Sequence, residues 1–296
     1  MLKHLMLFLT AVLLVAACGQ RPSEILEVDM DEVDTGELQV PSETINEIIS
    51  NIASPIEVAA LIHSLDVPFS EQYLADPEAL PVGTNFEMAY SLGALSADLG
   101  YLNMYEKTGT AINFLTVINS LADAMDIDQF FDFETIKRLA TSSSDLDSLM
   151  FISVYSFNKM DDYLREIQRS DLSSMMMTGV WIEGLYLSTQ IAKNNSSEDL
   201  KSMIGEQKLI LNDLLIILDN FRNEEIIASY ISDLELIKDV FDQVKISYTL
   251  SEPSTIEKDG MLIVVQNESS NVDMSDESLQ QIIKITEQVR NKHLKI

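Results

Sequence analysis

Two stretches of this chain are almost free of charge, although the chain as a whole is strongly acidic. Residues 86–105 carry only Glu87 and Asp98, and residues 172–192 carry only Glu183. The full sequence holds 48 Asp+Glu against 19 Lys+Arg. In the second stretch Leu172, Met175, Gly179, Ile182, Tyr186 and Thr189 recur three and four apart, the spacing of a helix. A helix that is apolar on every side has to be enclosed by other elements. Both stretches also hold small residues: Gly93, Ala94, Ala97 and Gly100 in one, Gly179 and Gly184 in the other. Glycine inside a helix costs about 1 kcal/mol relative to alanine, so a close helix–helix contact is the expected compensation. The chain is therefore expected to wrap a shell of helices around two central ones.

The remaining pattern supplies that shell. Ile45, Ile48, Ile49 and Ile52 have helical spacing, and Ser54-Pro55-Ile56-Glu57 combines an N-cap serine, a first-turn proline and a glutamate three after the cap. Residues 66–83 contain Pro68, Pro77, Pro81 and Gly83 and read as a long, partly ordered loop. Thr84-Asn85-Phe86-Glu87 is a capping box opening a helix to about Tyr105. Further helices are expected around Leu115–Met125, over 133–140, from Leu146 to Ile167, from Leu200 to about Phe221, and from Glu224 to Ile246. Pro253, Gly260 and the run Ile263-Val264-Val265 then suggest a β-hairpin-like segment, and Ser275 caps a last helix. Its final turn carries Arg290, Lys292, His293 and Lys295, cations that suit a helix C-terminus. The fold class is all-α: a bundle of roughly eight helices with a short hairpin before the C-terminal one.

The N-terminus carries an address. Lys3 precedes an apolar segment, Leu5 to Ala16, that is too short to span a bilayer, and Val15-Ala16-Ala17-Cys18 closes it. This run resembles the bacterial lipobox. The resemblance implies cleavage before Cys18, acylation of that residue, and attachment of the mature protein to a membrane through lipid. Gly19, rather than Asp, after the cysteine implies the outer membrane. Residues 19–41, with six acids and no base between Glu27 and Glu37, read as a mobile acidic tether. The expected layout is a signal peptide at 1–17, a lipidated tether at 18–41, a helical bundle domain at 42–246, and a C-terminal strand and helix extension at 247–296. With the Gly93–Tyr101 and Gly179–Tyr186 stretches, the chain is similar to uncharacterised helical lipoproteins of Bacteroidota-type bacteria. That resemblance carries no catalytic residue with it.

Composition narrows the chemistry. A net charge of −29 repels nucleic acid, so no such partner is expected. Cys18 is the only cysteine, and His63 and His293 are the only histidines beyond the signal segment. No zinc-ligand spacing, phosphate loop, dinucleotide fingerprint or nucleophile elbow is present. Neither metal nor cofactor is expected, and the chain reads as non-enzymatic.

The candidate site residues lie on the two apolar stretches: Asp98, Tyr101, Trp181, Glu183 and Tyr186. Aligning Asp98 with Glu183 also aligns Tyr101 with Tyr186, so each acid is followed three residues later by a tyrosine on the same face. Two readings stand. These residues line a ligand cleft, because acids in apolar surroundings have raised pKa values and gather at functional sites. Alternatively, they form a buried hydrogen-bond network that fixes helix register. The function read from the sequence is a membrane-anchored interaction module for a protein partner, with a small-molecule cleft as the alternative. A carboxylate-based hydrolase is a third reading, and it requires an acid of raised pKa in a solvent-reachable pocket.

Overall fold

The computed structural model describes residues 25–26, 67–81, 83–130, 132–141, 146–195, 197–250, 254–258, 261–265 and 268–296. The expected signal segment, Cys18 and the helices expected over 42–65 lie outside the described residues. Eight α-helices are present among those described: α1 (Asn85–Met104), α2 (Thr108–Ala124), α3 (Phe133–Thr141), α4 (Leu146–Glu166), α5 (Ser170–Ala192), α6 (Glu198–Asp219), α7 (Glu225–Phe241) and α8 (Asp276–Leu294). The all-α bundle expected from the sequence is what forms.

Local chemistry sets the helix starts. Thr84 accepts from the Glu87 amide, and the Glu87 carboxylate accepts from the Thr84 amide, completing the capping box of α1. Ser197 and Ser275 cap α6 and α8 through their hydroxyls. The helix ends carry no glycine. Glu106, Asp126 and Gln168 instead sit in the left-handed region, at φ 52°, 59° and 62°. At each end the next residue's amide reaches back to a carbonyl one turn earlier: Lys107 to Leu102, Ile127 to Ala122 and Arg169 to Leu164. These are Schellman closures with a non-glycine residue in the strained position.

α5 is the central element, buried without a break from Leu172 to Ile191. It packs on α1, α4, α6 and α8, while α7 packs on α6 and α8. The buried Asp161 of α4 is tied to Ser173 of α5 and to Arg165. Residues 67–81 form a strap with one 3₁₀ turn, Glu71–Tyr73, and bury Val67, Ala75 and Leu80.

The chain divides into two compact units. Of the described residues, 67–245 with 272–296 belong to the helical one, and 25–26 with 246–271 to the other. The C-terminal helix groups with the helical unit. α7 ends at Phe241 instead of running to Ile246, because Lys245-Ile246-Ser247-Tyr248-Thr249-Leu250 is a β-favouring run and forms strand β2. With β1 (Ile25–Leu26) and β5 (Glu268–Asp273) it makes a three-stranded sheet ordered β1-β2-β5, Ile25 pairing with Thr249 and Leu26 with Tyr248. Two residues of the expected tether are thus paired. β3 (Ser254–Lys258) and β4 (Met261–Val265) form the expected hairpin, antiparallel from Ser254–Val265 to Lys258–Met261.

Candidate functional site

The site begins where α1 and α5 cross. A Cβ on Gly93 would lie 1.9 Å from the Met176 carbonyl oxygen, and one on Gly179 would lie 2.0 Å from that of Tyr90. Each glycine thus meets the residue three before the other glycine, a reciprocal backbone-to-backbone contact that only glycine permits. Gly93 is the geometric counterpart of Gly179. Aligning Asp98 with Glu183 would pair Gly93 with Thr178, so the alignment read from the acids is one residue out of step with the packing. Beyond the crossing Asp98 and Glu183 come together, so the two helices run in the same direction.

Glu183, fully buried, is gripped by Arg290 of α8. Arg290 Nε donates to Oε2 at 2.9 Å and to Oε1 at 3.2 Å, and Nη2 donates to Oε1 at 2.7 Å. The guanidinium lies over the Tyr186 ring, 4.1 Å from its centroid. Its Nη2 also approaches the Tyr73 carbonyl of the strap at 3.5 Å. Burial works against the Arg290 charge, but the adjacent Glu183 more than offsets it and holds the pKa above its ordinary value. Asp98, also fully buried, accepts from the Ala75 amide on Oδ2 at 2.9 Å. Its Oδ1 faces no protein donor. Burial, and then the charge of Glu183, push its pKa well above the ordinary carboxylate range.

Of the five residues singled out from the sequence, Asp98, Glu183 and Tyr186 meet around Arg290. Tyr101 points to the start of the strap, where its hydroxyl accepts from the Ser70 amide at 3.0 Å and its ring stacks on Phe69 at 5.4 Å. Burial raises its pKa to about 12. Trp181 turns toward α6 and donates to Gln207 Oε1 at 3.0 Å. All five are buried, and each has a partner inside the bundle. Arg290 escaped the sequence reading, which placed it among the cations of a helix end. Only the scarcity of bases for two buried acids hinted at it.

A second cluster also escaped. Tyr230 of α7 stacks on His293 of α8 at 3.7 Å, and Tyr90 of α1 lies against both rings. Asp233 receives Lys292 Nζ on both oxygens, at 2.6 and 2.8 Å. His293 Nε2 lies 2.8 Å from Asp233 Oδ2 without the alignment of a hydrogen bond. Burial lowers the His293 pKa to about 4, against the pull of Asp233. His293 is therefore neutral at pH 7 and adds no cation to the end of α8.

The geometry does not give the hydrolase reading what it required. The Asp98 carboxyl has a raised pKa, but Asp98 and Glu183 are both sealed from solvent. Among the described residues no group of three or more His, Cys, Asp and Glu could hold a metal ion, and no helix is long and apolar enough to cross a membrane.

No family model, curated protein or solved structure matches this chain. The functional reading accordingly rests on the residues themselves.

Proposed function

We propose that this chain is an envelope lipoprotein, anchored at the outer membrane through lipid on Cys18, whose helical bundle acts as an interaction module for a protein partner. One observation carries the second half of that reading. The interior acids and aromatic groups that could have recognised a small molecule are engaged within the protein instead: Glu183 with Arg290, Tyr186 with Arg290, Asp98 with the Ala75 amide, and Trp181 with Gln207. Recognition is then left to the outer faces of the helices, which carry most of the acidic side chains. Such a surface favours a partner with basic patches and repels nucleic acid. The lipobox run Val15-Ala16-Ala17-Cys18 supports the anchoring half.

The two halves are tested separately. Cys18→Ser should release the protein from membranes into the soluble fraction, and unchanged membrane retention would refute lipid anchoring. Native mass spectrometry of the protein purified gently from its own envelope should show a protein-sized partner. A reproducible small-molecule mass would favour the cleft reading instead.

A further inference from the structure

We propose that Asp98 and Glu183 share a single buried proton, carried on Oδ1 of Asp98, and that this proton holds the strap 67–81 against the bundle. The argument starts from a charge count in a sealed space. Two carboxyl groups, both fully buried, face one guanidinium, that of Arg290. Arg290 is already committed to Glu183 through two nitrogens. The other titratable groups around Asp98 are tyrosines: Tyr101 on its own helix and Tyr186 on α5. Neither supplies a positive charge. Ionising both acids would leave one uncompensated negative charge in the core, which is strongly unfavourable.

The hydrogen bonds point the same way. Asp98 Oδ2 takes the Ala75 amide, but Oδ1 has no donor facing it. A carboxylate oxygen buried without a donor is costly, whereas a protonated one becomes a donor itself. The Glu183 carboxyl is the neighbouring acid that a proton on Asp98 can reach. A proton on Oδ1 therefore satisfies both acids with one bond.

This pair also governs the strap. Ala75 hangs on Asp98 Oδ2, and Tyr73, two residues earlier, leans on Arg290. When alkali removes the proton, Asp98 becomes a second anion beside Glu183. The two carboxylates repel, and the strap is tied to the one that is displaced. The fold thus contains a clasp that is closed by a proton and loosened by its loss. This inference is independent of the anchoring and partner-binding reading.

Infrared spectroscopy of the full chain at pH 7 tests the proton directly. A carbonyl band of a protonated carboxylic acid is expected, and it should disappear in Asp98→Asn. Absence of the band in the wild-type chain overturns the proposal, as does its persistence unchanged in the variant. Amide hydrogen exchange at Ala75 tests the clasp. Its protection factor should fall by about tenfold or more at alkaline pH in the wild type, one pKa unit being tenfold, and stay flat in Asp98→Asn. An equal fall in both chains would sink the clasp. The wild-type spectrum decides the proton question even if the variant does not fold.

Discussion

Arg290 grips Glu183 through Nε and Nη2, and the two side chains are only 3% and 0% exposed. The pair joins the C-terminal helix α8 to the central helix α5 across 107 residues of sequence. Breaking one half of a buried pair strands the other charge, at a cost of about 3–5 kcal/mol. Glu183→Gln is expected to destabilise the protein by that amount. Asp98→Asn, which keeps an acceptor for Ala75 and adds a donor toward Glu183, should change stability by less than about 1 kcal/mol. Urea unfolding followed by the fluorescence of Trp181, the only tryptophan, reads both. Equal losses in the two variants would mean that Asp98 is ionised in the folded protein.

The α1–α5 crossing gives a second expectation. Alanine at Gly93 or Gly179 would drive a methyl group into a backbone carbonyl, which cannot rotate away. Each substitution should cost about 3 kcal/mol or more. Gly109 is the control, because a Cβ there meets nothing within 4 Å. Gly109→Ala should be neutral or stabilising by about 0.5–1 kcal/mol. Thermal unfolding of the three variants side by side checks the contrast.

His293 makes stability depend on pH in a direction that can be worked out. Its folded pKa of about 4 lies below its ordinary 6.5, so only the unfolded chain takes up a proton between those values. Stability is fully present above about 6.5 and falls as pH drops toward 4, by about 3 kcal/mol at most. Asp98 runs the other way. Its pKa is raised above 3.8, so its contribution is full below 3.8 and is lost as pH rises through the folded value. The difference in unfolding free energy between wild type and His293→Gln, measured from pH 7 to pH 4, isolates the histidine. A flat difference would contradict its burial in the neutral form.

Besides Lys295 at the end of α8, three helix ends hold side chains in the left-handed region, Glu106, Asp126 and Gln168, all of them exposed. A non-glycine residue there costs about 1–2 kcal/mol. Replacing any of the three by glycine should stabilise the protein by about 0.5–1 kcal/mol once the extra freedom of glycine in the unfolded chain is counted. Chemical denaturation of the single variants measures it, and additivity is expected because the three ends are separate.

The sequence by itself determined the bundle. Residues 172–192 can be apolar on every face only at a centre, and Leu172 to Ile191 are buried there. The capping box at Thr84 and Glu87 is a local interaction, so it was legible from four residues. The ends of α1, α2 and α4 were only approximately legible, because their Schellman closures use Glu106, Asp126 and Gln168 where glycine would have been the signal. Tertiary structure decided the rest. Asp98 and Glu183 could be named as unusual, but whether they open to a ligand or close on each other depends on Arg290. Nothing local distinguishes that arginine from Lys292 on the same helix or from Lys295 just past its end. Helical periodicity fixes which side of a helix turns inward. It does not fix which distant charge arrives there, and in a buried site that charge decides whether an acid is ionised, protonated or paired.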